Sequence, residues 1–79
     1  MLLDNACVKE RITIEIIVNG DPYRIAENSN VSDLINELKL TPQRLAIELN
    51  LSILPRAAWH ETMLSAGDKL EIIHFVGGG

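Results

Sequence analysis

The sequence predicts an α+β roll, a mixed sheet of about five strands with one main helix on one face. Three observations lead there. Ile12, Ile14, Ile16 and Val18 alternate with Thr13, Glu15 and Ile17, the period of a half-buried strand. Val31, Leu34, Ile35 and Leu38 then take the i, i+3, i+4, i+7 spacing of an amphipathic helix. Alternation returns in Leu45, Ile47 and Leu49, and the chain closes on the apolar run Lys69 to Val76, so strands lie on both sides of the helix in sequence. A single helix can cover only one face of such a sheet.

Taken in order, residues 1–10 show neither period and read as a flexible N-terminal extension. The folded domain is expected over 11–76. Asn19-Gly20 ends the first strand with two residues that tolerate φ above zero, the strongest short hairpin signal, so Pro22 to Ala26 returns antiparallel. Pro22 cannot donate to a ladder, which makes that strand an edge. Asn30 is a good N-cap, and Asp33 three residues on completes a capping box at the positive end of the helix dipole. The helix is expected from Val31 to about Leu40, where Pro42 disfavours helical geometry at Thr41. Thr41 to Arg44 suits one further helical turn with Pro42 at its first position. Leu45 to Leu49 is a third strand, Asn50-Leu51 a tight turn, and Ile53-Leu54 a short fourth strand that Pro55 ends. Pro55 to Trp59 reads as a helical turn with Trp59 as a lid on the core. Ser65 to Asp68 is turn chemistry, with Gly67 at a φ-positive position.

Size and composition narrow the function. At 79 residues the chain is one small domain with no room for a second core. A formal net charge of -4 argues against binding a phosphate backbone and favours a basic protein surface as partner. The single cysteine, Cys7, allows no internal disulfide and suits a reducing cytoplasm. No run approaches the roughly 20 apolar residues of a membrane span, so neither membrane nor nucleic acid is expected as a partner, and the protein alone is expected to be monomeric. His60 and His74 are isolated, so no metal site can be built, and no Gly-rich phosphate loop precedes a helix. No bound cofactor is expected.

The ending carries the sharpest signal. After the last strand come Gly77, Gly78 and Gly79, a tail without side chains that can enter a channel too narrow for other residues. A frayed terminus is the competing reading. With no catalytic cluster inside the chain, the carboxylate of Gly79 is the favoured reacting group, and Gly77 and Gly78 the inserted segment. Strand parity adds a surface. If Leu70 and Ile72 face the helix, then Ile73 and Phe75 face away from it, with Ile17 and Ala46 from neighbouring strands, and an apolar patch close to the tail marks a partner surface. Val76 joins this partner-binding set. A central position for the last strand, parallel beside the first, would hold the root of the tail rigidly.

These residues resemble the ubiquitin-like sulfur carriers, most closely the thiamine-pathway ThiS family. The resemblance runs from Ile12 to Gly79 through Val18-Asn19-Gly20, Val31-Ser32-Asp33-Leu34, Ile53-Leu54-Pro55-Arg56-Ala57-Ala58-Trp59 and Ala66-Gly67-Asp68-Lys69-Leu70-Glu71-Ile72-Ile73 into the three glycines. Leu51 departs from it, standing where the family usually has glycine. The related molybdopterin synthase small subunit usually has a proline pair where this chain has His74-Phe75-Val76. The resemblance implies a β-grasp fold and a carrier that is not itself an enzyme. It implies that the Gly79 carboxylate is adenylated by an adenylyltransferase of the ubiquitin-activating type, which uses ATP and magnesium. A cysteine desulfurase or another persulfide donor then converts it to a thiocarboxylate, which gives its sulfur to thiazole synthase. A carrier for molybdopterin or another sulfur pathway, and a non-covalent β-grasp interaction module, remain the alternatives.

Overall fold

The computed structural model describes residues 12–75. The expectations for residues 1–10, Cys7, Val76 and the Gly77 to Gly79 tail lie outside the described residues. Within them the chain forms β1 (Thr13–Val18), β2 (Asp21–Ala26), α1 (Val31–Glu37), a 3-10 turn (Pro42–Arg44), β3 (Leu45–Leu49), β4 (Ser52–Leu54), a second 3-10 segment (Arg56–Glu61) and β5 (Lys69–His74). The five strands make one mixed sheet in the order β2-β1-β5-β3-β4. The last strand is therefore central, parallel to β1 and antiparallel to β3. Pro22 lies on edge strand β2, opposite Ile17.

The core follows from the two periods. Ile16, Val31, Leu34, Ile35, Ile47 and Leu70 are fully buried between the sheet and α1, each contributing about 1.5–3 kcal/mol by leaving water. Trp59 closes the core from the second 3-10 segment, and its indole Nε1 donates to the Leu54 carbonyl at 3.1 Å. The capping box forms as the sequence predicts: the Asp33 amide donates to Asn30 Oδ1 at 2.7 Å, and the Asn30 amide to Asp33 Oδ2 at 2.9 Å. The start of α1 is pinned further by the segment after Trp59, where the Val31 amide donates to the Thr62 carbonyl and the Leu64 amide to the Ser29 carbonyl.

Two expectations need correction. The helix stops at Glu37 rather than near Leu40, and Pro42 is not the cause. Lys39 adopts a left-handed φ of 59°, its amide donates to the Asn36 carbonyl, and the Leu40 amide donates to the Ile35 carbonyl. That pair of bonds is a Schellman cap, built here without the usual glycine. Ile12 is 66% exposed rather than buried. β1 pairs with β5 only through Ile17 and Val18, and Ile12 lies one residue before β1 begins, beyond Ile14, the first residue of the strand's inward set to pack on the core.

Candidate functional site

β5 decides what the sheet shows to a partner, because its residues alternate cleanly. Leu70 and Ile72 are buried against the helix, while Lys69, Glu71 and Ile73 point to the open face. Phe75, one residue past the strand, continues the outward set and is 55% exposed. On β3 the residues opposite are Glu48, across from Glu71, and Ala46, across from Ile73. Ile53 on β4 lies opposite Glu48 and is 77% exposed. An apolar strip of Ile73, Ala46 and Phe75 thus sits at the tail end of the open face, with Ile53, level with Glu48 and Glu71, joining Ala46 and Phe75 along the groove beside it.

The sequence places Ile73, Ala46 and Phe75 on this face, and the structure gathers them there. Ile17 shares the face but not the strip. It pairs with Lys69, four residues before Ile73, which at about 3.3 Å per residue puts it roughly 13 Å away along the strands. Ile53 was not among the expected site residues. Its signal was present: a two-residue Asn50-Leu51 turn pairs Leu49 with Ser52 and Glu48 with Ile53, which turns Ile53 outward.

Beside the strip, a groove of about 290 Å³ opens where β4 ends, lined among others by Gln43, Ala46, Ile53, Pro55, Arg56 and Phe75. Arg56 Nη1 donates to the Pro42 carbonyl at 3.1 Å, holding the 3-10 segment against the turn before β3. At the centre of the face two carboxylates meet, with the Lys69 cation two residues before Glu71 on the same face. Glu48 and Glu71 stand directly opposite each other, an arrangement of like charges that costs stability. A partner cation placed between them would relieve that repulsion. Among the described residues no group of three or more His, Cys, Asp or Glu is placed to hold a metal ion. None of the helices among them is long and apolar enough to cross a membrane.

The root of the tail is held from both sides. On one flank the Phe75 amide donates to the Arg44 carbonyl at 2.8 Å, carrying the β3 pairing one residue beyond β5. On the other flank the Asn19 side chain engages both backbone groups of Ile72. Phe75, the last described residue, thus follows the central strand directly and belongs to the exposed apolar strip.

Comparison with known proteins gives the chain's relatives and agrees with its fold. The family model described as ThiS family matches residues 16–79. An uncharacterized protein of Porphyra purpurea is 41% identical over 66 residues, 84% of this chain and 93% of that protein. A sulfur carrier protein ThiS of Bacillus subtilis is 34% identical over 53 residues, covering 67% of this chain and 80% of that one. A thiazole synthase of Paramagnetospirillum magneticum is 33% identical over 66 residues, 84% of this chain but 20% of that protein. Among solved structures, the thiamine biosynthesis protein ThiS of Geobacter metallireducens superposes with a TM-score of 0.73 at 36% identity, covering 84% of this chain and all of that one.

Proposed function

Since the chain belongs to the ThiS family, we propose that it is the sulfur carrier for the thiazole moiety of thiamine, with the carboxylate of Gly79 as the atom group that carries the sulfur. The observation that carries this reading is the continuity of the family match through residue 79, on a chain whose central strand leads directly into that segment. A carboxylate is a poor electrophile. Attack of a Gly79 carboxylate oxygen on the α-phosphorus of ATP, with loss of pyrophosphate, gives an acyl adenylate whose AMP is a good leaving group. A persulfide sulfur then displaces AMP at the acyl carbon. A thiol cleaves the resulting S–S bond by exchange and leaves the thiocarboxylate.

The carrier supplies position rather than catalysis. Glycines at 77 to 79 fit a narrow channel, and the strip of Ile73, Ala46 and Phe75 provides an apolar area for docking while the Glu48 and Glu71 pair favours a basic surface on the adenylyltransferase. Thiazole synthase is the proposed acceptor. The thiazole synthase of Paramagnetospirillum magneticum contains a stretch similar to this chain within one polypeptide, which suits two partners that work together.

The test is loading. Incubation with an adenylyltransferase of the family, ATP, magnesium and a persulfide donor should raise the intact mass by the difference between one sulfur and one oxygen, with fragmentation placing the change on Gly79. A chain extended by one alanine should not load. Equal loading of the extended chain, or a mass change on Cys7, rejects the terminal-carboxylate mechanism and favours a non-covalent module.

A further inference from the structure

Asn19 occupies the first position of a hairpin turn, with φ of 51° followed by Gly20 at 87°, and that turn would account for an asparagine by itself. Its side chain does something else. Oδ1 accepts the Ile72 amide at 2.7 Å and Nδ2 donates to the Ile72 carbonyl at 3.3 Å, across 53 residues of sequence. The backbone amide of Asn19 donates to the Leu70 carbonyl at 2.9 Å. β1 pairs with β5 only as far as Val18 and Leu70 before the chain turns into β2. The carboxamide, with one acceptor and a donor in the geometry of a peptide group, therefore stands in for the β1 residue that the turn takes away.

We propose that Asn19 is a positioning residue for the reactive tail: its carboxamide continues the parallel ladder past the end of β1 and fixes the direction in which β5 delivers Gly77 to Gly79. The inference rests on the carrier reading above. Ile72 is buried, so without Asn19 its amide and carbonyl would lose their partners on the β1 side. β3 would still hold β5 on the other flank, through the pairing of Leu45 with His74 and the Phe75 amide bond. A strand held on one flank keeps its place in the sheet but pivots more freely at its end. The docking strip and the tail root share this strand, and seating the strip on a partner aims the terminus only if the end of the strand is fixed relative to the strip. The effect of the clamp thus falls on the reacting step, where correct aim converts binding into productive geometry.

The variant Asn19→Gly separates the two roles of the residue, because Gly-Gly satisfies the hairpin turn while removing the carboxamide. In the isolated protein, hydrogen exchange at the Ile72 amide should speed up by roughly tenfold or more, the scale of one or two lost hydrogen bonds, while the Ile16 and Ile47 amides stay protected. In the loading assay kcat should fall by roughly tenfold with the KM for the carrier nearly unchanged. Asn19→Asp should give the same kcat loss, since it keeps the acceptor for the Ile72 amide but turns an oxygen on the Ile72 carbonyl. Tyr23→Phe, which removes a 2.9 Å bond to Glu37 away from the tail, should load like the parent. Unchanged Ile72 exchange in Asn19→Gly, or an unchanged kcat, overturns the inference. So does unfolding of both Asn19 variants, which would make the residue a requirement of the whole fold. Failure of the parent chain to load rejects the carrier reading instead, and the exchange measurement still decides whether the clamp exists.

Discussion

Replacing Phe75 by alanine tests the docking strip, and the structure sets the size of the effect. Phe75 keeps 55% of its surface exposed. A phenylalanine presents roughly 200 Å² when fully enclosed, so about 110 Å² is free to be covered by a partner, and at about 25 cal/mol per Å² that area is worth up to about 2.7 kcal/mol. Binding to the adenylyltransferase should therefore weaken by as much as about 100-fold. The covered remainder, about 90 Å², bounds the cost to the fold at about 2 kcal/mol, and the true cost is smaller because an extended-chain reference overstates burial. Neither the Phe75 backbone bond to Arg44 nor any of the fully buried core residues is altered. Stabilities of such domains are about 5–15 kcal/mol, so the variant should remain folded.

Calorimetric titration of the enzyme without ATP reads the binding term, and urea unfolding of the carrier alone reads the folding term. A folded Phe75→Ala protein that binds as tightly as the parent would refute the docking role. Loss of the native state would place Phe75 in the core instead of on the interface.

Two further predictions concern the fold. Leu51 has φ of 74° and is 89% exposed, so its side chain carries left-handed strain without visible packing in return. Leu51→Gly should relieve roughly 1–2 kcal/mol of strain, offset by about 0.5–1 kcal/mol of chain entropy, and raise Tm by about 3–6 °C in a thermal melt; a lower Tm would show that the leucine side chain stabilises the turn. The Tyr23 hydroxyl has its pKa raised from the ordinary 10.0, first by burial and then by its bond to the Glu37 carboxylate. A group whose folded pKa lies above its unfolded value contributes stability that is complete below pH 10 and lost as pH rises through the folded pKa. Chemical denaturation from pH 8 to 12 should show a decline above pH 10 that Tyr23→Phe reduces, and an identical decline in both proteins would dismiss the assignment.

The sequence made the faces legible but not the positions along them, and the difference has a physical cause. Alternation along a strand is a local property of the backbone, so Ile73, Ala46 and Phe75 could be placed on the open face from periodicity alone. Where Ile17 falls depends on register between two strands separated by most of the chain, and that register is set by how β1 and the start of β5 align, with Ile17 against Lys69. Ile53 was recoverable, because a two-residue turn fixes register locally, as the pairing of Glu48 with Ile53 shows. The Schellman cap at Lys39 carried no such signal, since the residue that takes the left-handed position is not a glycine. Asn19 is the hardest case. A residue that satisfies a local turn rule leaves no local reason to seek a second partner, and its contact to Ile72 exists only once β5 has been brought beside β1. The face is thus decided by nearest-neighbour geometry, and the hold on the Ile72 backbone by contacts that only the assembled sheet makes.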